Sequence, residues 1–291
     1  MRLILINKNN EELDLLNNKQ RFILSNVEGL HGVETSINES ETPYTDGTSV
    51  DSVKALPRGI ELTFTLRGNI KNSIDYFTRY VKSKQVVTLR EIDGERDITI
   101  KGIATIPPYS RMMQTCKIVL SLYCAQPYWE DLNTVVIAIS QNVDLFYLPV
   151  EGQFFTALGR PFGVIDLSLS KTFNNLSDTS VGMLISIKAL GEVVNPRIIC
   201  DSGEQIGWYI QLNLTLQEND EVQINTIKND KYITINGLEE YNGEPILNNL
   251  EWYGKDWLQL ETGENTFSVT TENRNTNGNL HFNLTYKGRY E

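Results

Sequence analysis

Between residues 60 and 67 the chain alternates apolar with polar side chains, as IELTFTLR. Ile60, Leu62, Phe64 and Leu66 fall on one face and Glu61, Thr63, Thr65 and Arg67 on the other, the period of a half-buried strand. Residues 115–124, TCKIVLSLYC, repeat the pattern with Cys116, Ile118, Leu120, Leu122 and Cys124 inward. Between them, VVTLREIDGERDITIKGIA sets Asp93-Gly94 amid two β-rich runs. Asp and Gly tolerate the positive φ that a tight hairpin turn needs. Residues 1–6 and 12–16 predict a first hairpin around the turn at 7–10. One segment changes period. Ile70, Ile74, Phe77 and Val81 recur at helical spacing, with Lys82 and Lys84 placed to suit the C-terminal dipole of an amphipathic helix packed on a sheet.

Residues 36–59 show little hydrophobic periodicity and are rich in Ser, Thr, Glu, Asp, Pro and Gly. Loops of that length inside compact domains are uncommon and are usually functional or disordered. The central TSVDSVKAL predicts a strand offered to a neighbouring subunit. The candidate contact residues of this arm are Tyr44, Val50, Val53 and Leu56; a plain surface insertion is the alternative. After Pro127-Tyr128-Trp129 the texture shifts, and 19 of the 28 asparagines lie beyond residue 130. Short β-rich runs recur at 134–139, 164–169, 183–190, 206–216, 221–225, 231–235, 266–271 and 279–286. Turn signals at Asn219-Asp220, Asn229-Asp230 and Asn236-Gly237 separate several of them. Many short strands with regular turns predict an antiparallel sandwich, and no helix is expected there.

Charge sharpens the division. Residues 1–130 carry 16 Lys+Arg and 16 Asp+Glu; residues 131–291 carry 10 and 21, so the whole net charge of −11 resides in the second part. Together with 291 residues, 40% of them hydrophobic, this predicts two domains, 1–132 and 133–291. An acidic chain repels phosphate backbones, which disfavours nucleic-acid binding as a main function. No apolar run approaches the ~18 residues of a membrane helix. The start, MRLILINKNN, lacks the apolar core and cleavage site of a signal peptide, so the chain is expected to fold in the cytoplasm where it is made.

Catalytic chemistry has little to work with. Cys116, Cys124 and Cys200 form no C-x-x-C pair and read as reduced core thiols. The only histidines, His31 and His281, sit in no metal-binding spacing. Asp201/Glu204, Asp220/Glu221 and Glu239/Glu240 lie in turn contexts, where a solvated face is the default. No catalytic residue, cofactor or metal is therefore expected. Among the tryptophans, alternation in WLQL sets Trp257 opposite Leu258 and Leu260, making Trp257 the candidate aromatic for sugar stacking.

Several weak motifs then stand in one order. They are ALPRGIELTFTLRG after the long loop, one helix, and a strand closing on YCAQPYWED with Pro127, Tyr128 and Trp129. Asn174-Asn175, ISIKALGEVVNPRIICDSGEQI, EVQINTIKNDKYITINGLE, DWLQLETGENTFSVT (with Leu260, Gly263 and Asn265) and LTYKGRY follow. In this order the chain resembles the distal tail (Dit) family of long-tailed phages and prophages over nearly its whole length. It departs where Leu176-Ser177-Asp178 replaces the family's Gly-Asp. The resemblance implies a mainly β protein: an N-terminal β-sandwich with one α-helix and an arm-like loop, then a galectin-like or carbohydrate-binding-module-like antiparallel sandwich. It implies a structural role, a homo-hexameric ring joining the tail tube protein to the hub, tip or baseplate. Tape-measure and receptor-binding proteins are further partners, DNA is only passing cargo, and the location is the virion tail tip. A glycan-binding adhesion module is the alternative function.

Overall fold

A computed structural model describes residues 1–17, 21–41, 46–94, 96–107, 116–138, 170–272 and 279–291. Two compact units are present, Met1–Asn133 with Arg289–Glu291, and Thr134–Gly288.

In the first unit the alternating segments form one antiparallel sheet. Its spatial order is Glu12–Asp14, Arg2–Ile6, Val86–Asp93, Arg96–Thr105, Lys117–Cys124, Arg58–Leu66 and Phe22–Glu28. The short strands Trp129–Asp131 and Arg289–Tyr290 extend it from Arg96–Thr105. The expected inward residues are buried, Ile60, Leu62, Phe64, Leu66, Cys116, Ile118, Leu120, Leu122 and Cys124 among them. Gly94 takes the positive φ of the hairpin turn.

The helix spans Ile70–Tyr80, capped by the Asn69 side chain accepting from the Asn72 N–H. Its buried stripe sets Phe77 against Phe64 and Phe22, with ring centroids 4.9 and 5.9 Å away. One helix, roughly 10 Å across, covers about two strands spaced ~4.8 Å apart. The remaining apolar faces share the same core, so the sheet folds over itself as a sandwich. Trp129 is fully buried, and its indole N–H donates to the Leu30 carbonyl at 2.9 Å. The Arg58 guanidinium donates to that same oxygen at 2.6 Å.

The second unit is a sandwich of two five-stranded antiparallel sheets. One runs Val135–Ala138, Leu280–Tyr286, Leu184–Ala189, Glu221–Asn225, Tyr232–Ile235. The other runs Ser170–Asn175, Gly263–Thr270, Arg197–Cys200, Tyr209–Leu212, Leu250–Tyr253. Ile185, Ile187, Val222, Ile224, Phe282 and Leu284 from one sheet meet Ile198, Ile210, Leu212, Phe267 and Val269 from the other. Asn219, Asn229 and Asn236 all adopt positive φ, as their turns require. Helical structure among the described residues of this unit is limited to short 3-10 turns, such as Gly203–Gln205 and Ile246–Asn249. The expected run at 206–216 divides into Tyr209–Leu212 and Thr215–Leu216, and the run at 164–169 lies outside the described residues.

Candidate functional site

The segment 36–59, read from its composition as an arm-like loop, is a two-stranded hairpin of Thr35–Glu41 and Thr48–Ala55. Its second strand, expected to pair with a neighbouring subunit, pairs within the chain. Cross-strand polar contacts hold it. The Asn38 amide donates to the Ser52 hydroxyl at 2.9 Å, Ser40 and Ser49 share a 2.8 Å bond, and the Thr48 hydroxyl donates to Glu39 at 2.9 Å.

The register decides what the hairpin presents. Ile37 lies opposite Val53; a bulge then shifts the pairing so that Glu39 faces Val50. Residues 37 and 39 share a face, so the bulge brings Val50 onto the same side as Val53. Ile37, Val50 and Val53 therefore cluster on one face beside Glu39, exposed by 52, 58 and 61%. Ser36, Asn38, Ser40, Ser49, Ser52 and Lys54 line the other. Of the arm residues expected from sequence, Val50 and Val53 stand together on this face. Leu56 lies at its base, half-buried, with its N–H bonded to the Glu34 carbonyl, and Tyr44 falls outside the described residues. Ile37, isolated among polar neighbours, gave no periodic signal.

The sheet of the same unit carries a second unburied apolar feature. Val86 pairs with Ile103, and Ile103 with Tyr123, in one row across three adjacent strands. All three side chains are about half exposed. Single exposed apolar residues are ordinary, whereas these three are aligned in a row across neighbouring strands.

Reactive groups are arranged differently. Burial pushes the Cys124 thiol up to about 11 and raises that of Cys200 as well, so both are poor nucleophiles. His31 approaches Glu91 at 3.8 Å in the first unit, whereas His281 belongs to a strand of the second. Asp220 is a turn staple, accepting from the Gln217 N–H at 2.7 Å and from the Asn236 amide at 2.8 Å. Among the described residues no three His, Cys, Asp or Glu side chains gather as a metal site would need.

Trp257 is not exposed, contrary to the alternation argument. It is 9% accessible and packs in the core of the second unit. The reason is local: residues 254–259 are not a strand, so successive side chains need not alternate. Gln205 and Gln259 exchange two hydrogen bonds that fix the segment, and both Trp257 and Leu258 turn inward. Lys231, ion-paired with Asp256, lies over the Trp257 ring at 5.5 Å from its centroid.

Residues 178–290 match the family described as siphovirus-type tail component, C-terminal domain (SPP1 Dit). The solved structure of the SPP1 Dit protein (gp 19.1), described as a paradigm of the hub adsorption apparatus in phages infecting Gram-positive bacteria, matches with a TM-score of 0.63. Identity is 12%, and the match covers 99% of each chain. A chain of the phage P2 baseplate in its calcium-activated conformation matches more distantly, with a TM-score of 0.44 at 12% identity over 98% of each chain. Curated protein sequences gave no match. Residues 178–290 thus resemble the C-terminal domain of siphovirus-type tail components, and over its whole length the chain has the fold of the SPP1 Dit protein.

Proposed function

We propose that this chain is a non-enzymatic structural subunit of a phage tail, six copies of which close into a ring between the tail tube and the baseplate or tip. The amphipathic hairpin carries the reading: its exposed face of Ile37, Val50 and Val53 is an unsatisfied apolar surface on the unit that would build the ring. The row Val86, Ile103 and Tyr123 is a second such surface in the same unit. A patch of one kind meeting a patch of another on the next copy is a heterologous contact, and heterologous contacts generate rings when the rotation closes. Hairpin and row would be the two patches of such a contact. The second unit, with its own core, would decorate the ring. The ring-building part, with 16 basic and 16 acidic side chains over residues 1–130, gives a lumen without the excess positive charge that would retain phosphates as tape-measure protein and DNA pass.

The test is assembly. Negative-stain imaging and mass photometry of the full chain at rising concentration should show six-fold rings. The double variant Ile37→Asp, Val53→Asp should keep its circular dichroism and stay monomeric, because both side chains lie outside the core. Rings that form as readily in the variant would sink the reading.

A further inference from the structure

The outer face of the sheet ending in Leu250–Tyr253 carries features that assembly leaves unused. The Arg197 guanidinium lies 3.7 Å from the centroid of the Tyr209 ring, and Tyr209 in turn stacks with Tyr253 at 5.9 Å and 19° between planes. These three planar groups cross three adjacent strands to the sheet edge, where Tyr253 is 61% exposed. Beside Arg197 opens a cavity of about 270 Å³, lined also by Asn195, Gln211, Thr270 and Glu272.

Two carboxylates on this face are fixed in place. Glu251 accepts from the Tyr209 hydroxyl at 2.7 Å and from the Asn213 amide at 3.3 Å, and these bonds hold its carboxyl below the usual range. Glu272 accepts from the Asn195 amide.

We propose that this face binds a neutral saccharide, one sugar ring seated in the cavity and a further unit reaching along the planar ladder toward Tyr253. The volume falls just below that of drug-sized pockets, as a single pyranose ring requires. Carboxylate, amide and guanidinium groups side by side offer the paired donors and acceptors that vicinal hydroxyls need, and an exposed phenol ring offers the flat surface that sugar C–H faces pack upon. Charge selects among saccharides. With 21 acidic against 10 basic residues beyond residue 130, this unit repels phosphate-bearing or carboxylated polymers and leaves neutral hexose and N-acetylhexosamine chains. The site shares no residue with the hairpin or the Val86 row, so it and the ring reading can fail separately.

The full chain would be screened on an array of neutral hexose and N-acetylhexosamine oligosaccharides with polyribitol phosphate as the anionic comparison, and hits titrated by calorimetry. Tyr253→Ala and Gln211→Ala should each weaken binding by about tenfold or more with unchanged melting temperature. Trp252→Ala should leave affinity intact, because Trp252 pairs with Ile210 and so sits on the opposite face. Silence of the whole array, retained affinity in either site variant, or preference for the phosphate polymer each overturns the proposal.

Discussion

Cys124 shows how one buried side chain ties packing to pH. Its thiol is fully buried, and that burial, opposed weakly by Arg58, pushes its pKa up to about 11, against ~8.5 for a free thiol. The folded chain therefore keeps a proton that the unfolded chain releases. The stabilisation is fully present below the unfolded value and is lost as pH rises toward the folded one. Urea midpoints measured at pH 8 and pH 10.5 should fall more steeply for the native chain than for Cys124→Ala; parallel curves would refute the coupling. The inward position of Cys124 was legible in the sequence because TCKIVLSLYC lies in a regular strand, where period two holds. Trp257 was not. Its segment is held by the Gln205–Gln259 exchange rather than by a ladder, and no short-range pattern records a contact 54 residues away. Tyr209 and Tyr253 escaped notice for a related reason. Neighbouring aromatics on separate strands become a ladder only once the register is known.

At the scale of elements, a regular period made the helix and the main sheet of the first unit readable. Its absence hid the hairpin. Ser, Asn and Thr pair across Thr35–Glu41 and Thr48–Ala55 without any apolar alternation, and the bulge that aligns Val50 with Val53 adds a residue that breaks what periodicity there is. The hairpin also has an energetic consequence. Among the described residues between 37 and 55 none belongs to the core of its unit, and an isolated two-stranded hairpin is marginal in water. Its amides should therefore exchange almost as fast as an unfolded segment in the dissociated subunit, while those of Arg58–Leu66 stay protected. On ring formation the hairpin amides should slow by about a hundredfold or more, corresponding to roughly 3 kcal/mol of local stabilisation. Hydrogen–deuterium exchange on both states measures this directly. Equal protection in the two would mean that the apolar face of Ile37, Val50 and Val53 is not buried by a neighbour.

For the whole molecule, the shifts in charge and asparagine content pointed to two parts, and two separate cores are what the chain builds. The return of the last residues to the first unit left no trace in the sequence, since Arg289–Tyr290 is too short a strand to show a period. Yet that strand is well held. It pairs with Trp129–Asp131, Arg289 bonds Glu130 at 3.1 Å, the Tyr290 hydroxyl donates to Asp131 at 3.0 Å, and Arg96 lies over the Tyr290 ring. Partly exposed pairs of this kind contribute up to about 1 kcal/mol each, as does each net hydrogen bond, against the entropy of ordering a short segment. Removing residues 289–291 should thus destabilise the first unit by about 2 kcal/mol, lowering its melting temperature by roughly 5–10 °C. The second unit retains every residue of its core in that variant. Calorimetry of the truncated chain should show one transition displaced downward and the other, from the sandwich of Thr134–Gly288, where it was. A single transition that moves as a whole would show instead that the two cores melt as one cooperative body. The chain would then have to be treated as one folding unit despite its uneven charge.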